Sequence, residues 1–408
     1  MTLSEVILDA AALRHNFETL RRWYGGTPLF PVVKANAYGH GSDLICLELE
    51  RAFDEKALPS FCVARYSEAM RIRAAGVKRR ILVLSHFSAT EWLAEPLADI
   101  DVVIADAKRD LGELAKLPEG IRASIGVHVK FDTGMGRLGA IVRGEAEEAA
   151  SALEHFAALK GAGLRARGIL SHLARSEEAP ELLSSAQVER FEALLKALRA
   201  GWREARHGEF PQWIHLANSS GIERGIGRGL CNAARPGLHL WGVSGGGQEL
   251  ARLEAEGKLS QLRPVLSVEG PVRQLKIVRA GEGVGYGHRY VAPSERLVGL
   301  VSLGYADGVF RQLSRRADEP WRLGFVVEGA RMPVAGTVSM DLTALDLSDH
   351  PKASEWKAAL RAGRVPELRA EWIGPRQRVE EHGDVFETIS YEILCALTSR
   401  LPRRWKTE

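Results

Sequence analysis

The feature that most restricts how this chain can fold is an alternation. Between residues 29 and 237, eight short apolar runs are separated by amphipathic stretches. The runs are Leu29–Ala35, Phe61–Arg65, Ile81–Ser85, Val102–Asp106, Ile125–Asp132, Gly168–Leu173, Trp213–Asn218 and a weak eighth at Asn232–Gly237. Between them, 187–199 sets Val188, Phe191, Leu194, Leu195 and Leu198 on one helical face. Asp9 is a good N-cap for a first helix with Leu13, Phe17 and Leu20 on one stripe. Nearly continuous apolar strands alternating with helices imply a parallel sheet covered on both faces. Eight of them in this length predict a (β/α)8 TIM-type barrel, a fold of about 250 residues. A doubly wound open sheet is the alternative, weakened because no GxGxxG follows the first strand.

Past residue 245 the texture changes. Gly245–Gly247 reads as a linker or loop. Strand-like pieces then follow at 264–268, 271–279, 297–303, 323–328 and 342–347, which predicts a mostly β C-terminal domain. The segment 351–370 reads as a helical excursion, 390–400 as a closing helix, and the basic tail Arg400, Arg403, Arg404 and Lys406 as a solvated end. The expected domains are 8–245 for the barrel, and 1–7 plus 246–408 for the β-rich part.

Composition removes several function classes. At 45% hydrophobic and 26% charged residues, a disordered or collagenous chain is excluded. Lys+Arg at 55 against Asp+Glu at 52 leaves a net charge of +3, with no electrostatic reason for a nucleic-acid or membrane partner. Apolar runs are strand-sized, too short to span a bilayer. The stretch Met1–Glu5 has neither the basic nor the apolar part of a secretion signal. Cys46, Cys62, Cys231 and Cys395 are far apart and form no CxxC, so no metal or disulfide framework is expected, and the thiols fit a reducing cytoplasm.

Chemistry is concentrated at strand ends. Lys34 closes the first run, where barrel enzymes keep catalytic groups, and a lysine in dry surroundings there can form a Schiff base. A lone lysine at a strand end is ordinarily a surface group. What shifts the balance is the polar, glycine-rich turn of Asn36, Tyr38, Gly39, His40 and Gly41 behind it.

That string, KANAYGHG, resembles the alanine racemase family of pyridoxal-phosphate (PLP) enzymes. The resemblance recurs in order at Lys130–Gly139, Ser171–Ala174, His215–Ser219, Ala234–Leu238, Gly285–Gly287, Gly304–Gly308, Ser339–Asp341 and Tyr391-Glu392. It implies a cytoplasmic homodimer with shared active sites that interconverts L- and D-alanine for peptidoglycan. By the same resemblance Lys34 holds PLP and acts as one catalytic proton carrier, and Tyr286 of the partner subunit acts on the other face. Arg235 would face the pyridine nitrogen. A guanidinium keeps its own proton, so the ring stays a weak electron sink that favours reprotonation at Cα. The resemblance assigns Tyr38, Asn218, Ser219, Gly237, Leu238 and Tyr391 to the phosphate, and His172 and His215 to a network around Arg235. Arg137 would meet the cofactor and the substrate carboxylate, and Met340 would offer its N–H to that carboxylate. Lys130 is a candidate N-carboxylysine, the alternative being an amine beside a carboxylate such as Asp132. Tyr305, Arg311 and Asp341 would line the entrance. Ser339 and Leu342 stand where many relatives carry Cys and Gln, which leaves a serine or broader racemase open. A decarboxylase is disfavoured by Arg235, and a PLP-binding non-enzyme by the second domain.

Overall fold

The computed structural model describes residues 3–85, 87–177, 182–204 and 208–407. The chain divides into two compact units, Arg14–Leu240 and Met1–Leu13 with Trp241–Glu408. Strand β1 (Glu5–Leu8) leads into a helix over Ala10–Trp23, capped as expected by Asp9, whose carboxylate accepts from the Ala12 amide at 2.8 Å. Leu13, Phe17 and Leu20 are fully buried on that helix, so its stripe faces a core.

In the first unit β2 (Ser60–Val63), β3 (Arg80–Val83), β4 (Ile100–Ile104), β5 (Gly126–Asp132), β7 (Arg165–Leu170) and β8 (Trp213–His215) form one parallel ladder, with β6 (Ala140–Ile141) added beside β5. The first and eighth runs close the ring. Val32 bridges Cys62, Leu29 bridges Ala234, and Ala233 bridges His215, all parallel. Only bridges form there because Pro28, Pro31 and Pro236 cannot donate to a ladder. The Phe30, Val32 and Cys62 amides still find Ala234, Pro236 and Pro31 carbonyls at 2.8 Å each. The eight positions therefore close into the expected barrel, with helices such as Ser42–Ala52, Tyr66–Ala74 and Leu182–Glu204 between strands. Phe191, Leu194, Leu195 and Leu198 are buried on the last of these, and Val188 is half-buried.

The second unit is built on β9 (Leu266–Val278), a single strand of 13 residues where the sequence suggested two. It pairs β1 through Leu266–Glu269 and, beyond Gly270-Pro271, pairs β12 (Arg296–Val301). Proline lacks the donor and glycine allows the bend, so the break read in the sequence is where one strand changes partners. A small hairpin of β10 (Gly283–Val284) and β11 (Tyr290–Val291) lies between them in sequence. The rest are β13 (Phe325–Val327), β14 (Ala330–Met332), β15 (Thr343–Asp346), β16 (Arg369–Ile373) and β17 (Arg403–Trp405). Gly245 and Gly246 lie in a loop, as read, and Gly247 opens the helix Gly247–Ala255. One expectation needs correction. The basic tail is not a free end: Arg403–Trp405 pairs parallel with β1, Arg404 bonds Glu5, and Arg403 donates to the Leu397, Thr398 and Leu401 carbonyls. The excursion at 351–370 is helical over Ala353–Arg361, then turns into β16.

Candidate active site

Lys34 lies at the rim end of the first strand and is exposed, not enclosed as a dry setting would require. The turn after it is left-handed. Ala35, Asn36, Ala37 and Tyr38 have φ between 52° and 57°, followed by Gly39 at 79° and Gly41 at 98°. A non-glycine residue in that region costs about 1–2 kcal/mol, so four in succession need external support. The Asn36 side-chain oxygen accepts from the Ser42 amide at 3.0 Å, and its carbonyl from Gly41 at 2.9 Å. Glu68 clamps the other side, accepting from the amides of Ala35 at 2.6 Å, Ala64 at 2.8 Å and Arg65 at 3.0 Å. The result presents Lys34 outward and buries Tyr38 behind it.

The Tyr38 hydroxyl borders the loops after β8 and the eighth strand. A Cβ added to Gly237 would stand 2.7 Å from that oxygen. Ser219 Oγ accepts from the Gly237 amide at 2.9 Å and from the His239 amide at 3.3 Å. Asn218 is a helix cap, its side-chain oxygen accepting from Gly221 at 2.9 Å and from Ser176 at 2.8 Å. Two hydroxyls, Tyr38 and Ser219, in the loops where barrels often bind phosphate could donate to the PLP phosphate.

Arg235 is 4% exposed, in contrast to the surface arginine its Pro-Gly context suggests. Its Nη1 reaches His215 Nδ1 at 2.5 Å and the His215 carbonyl at 3.0 Å. Its Nη2 reaches the Ser171 carbonyl at 2.7 Å, His172 Nδ1 at 3.2 Å and the Leu216 carbonyl at 3.2 Å. With both terminal nitrogens committed, Nε–H is the donor left for a ring nitrogen. Burial, then Arg235 itself, holds both His172 and His215 well below the ordinary histidine range, so both are neutral acceptors.

Lys130 and Arg137 come from β5 and the turn that follows. Burial, then the charges of Arg137 and Arg235, pushes the Lys130 amine down to about 8. Asp132 does not pair with it. The Asp132 carboxylate instead accepts the amides of Gly134, Met135, Gly136 and Arg137 at 2.7–3.2 Å. Those bonds outweigh burial and keep it ionised below the usual range. The turn is thereby shaped to carry Arg137, exposed at the rim.

In the second unit Tyr286 is 73% exposed on a turn with positive φ at Gly285, Gly287 and His288. Thr337 Oγ1 donates to the Tyr286 carbonyl at 3.2 Å, tying the turn to the 337–341 loop. That loop fixes its neighbour as well: the Tyr305 amide donates to Ser339 and the Ala306 amide to Met340, each at 3.0 Å. Tyr305, Met340 and Leu342 are exposed there. Asp341 bonds Arg400 at 2.6 Å, and Arg311 is exposed on a short turn whose Ser314 bonds the Val338 amide at 3.0 Å. Tyr391 is half-buried on the helix Ser390–Cys395. Sequence reasoning overlooked Glu68, His128 and Asp101. His128 was within reach, because it stands two residues before Lys130 and so shares its face of β5.

Arg235 is a buried guanidinium held among neutral histidines and carbonyls, a cation that could face a cofactor ring. Fold and site together define a PLP-dependent amino-acid isomerase of the barrel-plus-β-domain class. The family described as "Alanine racemase, N-terminal domain" matches residues 8–245, and "Alanine racemase, C-terminal domain" matches 265–405. An alanine racemase from Sorangium cellulosum is 33% identical over 415 residues, covering 98% of this chain and 98% of that protein. The biosynthetic alanine racemase of Pseudomonas aeruginosa is 32% identical with TM-score 0.75, over 100% of both chains. The alanine racemase of Bartonella henselae, solved with covalently bound pyridoxal phosphate, has TM-score 0.76 at 26% identity over 100% of both chains. This chain belongs to the alanine racemase family.

Proposed function

We propose that this chain is a cytoplasmic alanine racemase that interconverts L- and D-alanine for peptidoglycan, with Lys34 and the partner's copy of Tyr286 as its two proton carriers. The observation that carries the reading is Arg235, buried and fastened to neutral histidines. Bound PLP supplies the electron-withdrawing ring that makes the substrate Cα–H acidic. Lys34 would hold the cofactor through its amine and, with substrate bound, would exchange a proton with one face of Cα. Tyr286 exchanges a proton with the opposite face. One carrier accepts as the other donates, so a turnover inverts Cα with no net proton change. Arg235 would keep its own proton and give none to the ring, which would favour return of a proton to Cα.

Arg137 meets the substrate carboxylate, with Met340 N–H on its other oxygen. A Lys130 amine near pKa 8 is neutral often enough to attack carbon dioxide. The N–C bond forms as one N–H proton leaves, and the resulting anion orients Arg137. Tyr38, Asn218, Ser219, Gly237, Leu238 and Tyr391 serve the phosphate, and Tyr305, Arg311 and Asp341 the entrance. The exposure of Tyr286 beside Tyr305, Met340 and Leu342 supports a homodimer with shared sites. The buried free thiols of Cys46, Cys62 and Cys231 support a reducing compartment. The working domains are 8–245 for the cofactor, and 1–7 with 246–408 for the partner-facing part.

The test is subunit mixing. Lys34→Ala loses bound-cofactor absorbance and turnover. Tyr286→Phe keeps the cofactor and loses turnover by about 10²–10⁴. Together they regain activity at one hybrid site; no regain removes the shared site. Initial rates with L-alanine, L-serine and a bulky amino acid decide the side-chain range that Ser339 and Leu342 leave open.

A further inference from the structure

Behind Arg235 a line of polar groups crosses the barrel interior. His215 Nε2 lies 2.8 Å from His128 Nδ1, and His128 Nε2 lies 3.3 Å from Asp101 Oδ2. Both histidines are 0% exposed and Asp101 is 1% exposed. Asp101 in turn meets Arg80 Nη1 at 3.0 Å and Arg167 Nε at 3.5 Å. The barrel is built to hold this line. A Cβ on Gly168 would collide with the His128 ring, and one on Gly126 with Asp101 and Arg167. The pairing of β5 with β7 shifts register between Val127 and His128, opposite the unpaired Arg167.

The proton positions along the line follow by elimination. Arg235 only donates, so His215 Nδ1 must accept. His215 then carries its hydrogen on Nε2, since an imidazole bare at both nitrogens is excluded. His128 Nδ1 must accept that hydrogen, and His128 must donate from Nε2 to Asp101. Every bond from Arg235 to Asp101 thus points one way, and reversing any one of them leaves a buried clash of two donors or two acceptors. Arg80 and Arg167 offset the Asp101 charge. Asp101 anchors the line at its far end.

We propose that Asp101 and His128 are positioning residues, which fix the His215 tautomer and through it the aim of the Arg235 guanidinium at the cofactor ring. Burial alone would push Asp101 up, but His128, Arg80 and Arg167 hold it ionised, as the role requires. The inference rests on the racemase reading for its kinetic consequence only; the hydrogen-bond direction stands without it.

The experiment uses ¹⁵N-histidine-labelled protein, with and without cofactor, and reads the two strongly bonded buried imidazole N–H resonances beside steady-state kinetics. Asp101→Asn removes the charge and is expected to weaken the terminal bond. The His128 resonance moves upfield, kcat falls about 10- to 100-fold, and cofactor content is kept. Arg80→Gln leaves Asp101 less compensated, and the same resonance moves downfield. General damage to the barrel cannot produce opposite shifts. Shifts of the same sign in the two variants, or an unmoved resonance, overturn the relay. Opposite shifts with wild-type kcat overturn its positioning role. Absence of racemisation in the unmodified enzyme, with the opposite shifts retained, sinks the racemase reading and its kinetic consequence while sparing the bond direction.

Discussion

Gly237 shows how much of the site rests on single residues. Its missing Cβ is what lets the Tyr38 hydroxyl approach, and its amide is held by Ser219. Gly237→Ala should push the Tyr38 ring aside and weaken PLP binding by about tenfold or more, a clash costing roughly 1–3 kcal/mol. Titration of the cofactor-free protein with PLP measures this, and unchanged affinity would show that Tyr38 does not serve the phosphate. At this scale the sequence was readable wherever residues with chemistry cluster in a string. Lys34, Tyr38, Arg137, Ser219 and Arg235 were all singled out that way. Asp101, His128 and Glu68 were not, because each acts on a partner more than twenty positions away along the chain. Period-2 spacing tells which face of β5 His128 uses, but not what stands across from it. The Asp132 carboxylate, two residues from Lys130, is bonded by four backbone amides of the turn that follows, a set of partners the sequence string does not reveal.

Among the elements, prolines explain most of what hydrophobic pattern alone could not. Pro28, Pro31 and Pro236 reduce the first and eighth barrel strands to bridges, which is why the eighth run read weakly. Glu269-Gly270 looked like the gap between two strands and lies where β9 exchanges β1 for β12. The strand β17 escaped notice because its adjacent arginines look solvated, whereas Arg403 and Arg404 bond Leu397, Thr398, Leu401 and Glu5. Truncation after Pro402 should leave one edge of β1 unpaired and lower the melting temperature. A loss of about 2–4 kcal/mol is expected from three lost strand residues and the Arg404–Glu5 pair. A thermal scan of the truncated chain with unchanged midpoint would return the tail to the status of a loose end.

For the molecule as a whole, acid should be the weak flank. His172 and His215 in the barrel and His382 in the second unit are neutral when folded, His382 pushed down to about 3 mainly by burial. Unfolding releases them to the ordinary value near 6.5. Below that pH the unfolded chain binds protons that the folded chain refuses, so stability falls as pH falls, by about 1.4 kcal/mol per unit for each histidine. Above pH 6.5 these groups contribute no slope. Urea midpoints at pH 7.5, 6.5 and 5.5 should be flat over the first interval and drop over the second; a level series across both would show that the histidines are not held neutral.

The pairing of β1 with both β9 and β17 has a consequence for synthesis. The ribosome delivers Glu5–Leu8 some 260 residues before its antiparallel neighbour and about 400 residues before its parallel neighbour. At roughly 5–20 residues per second, that opening strand waits on the order of tens of seconds without a mate. Arg14–Leu240 is one uninterrupted stretch and can mature while translation continues. Newborn chains therefore carry an unpaired apolar strand until β9 is made, and that is the interval in which a chaperone would find something to hold.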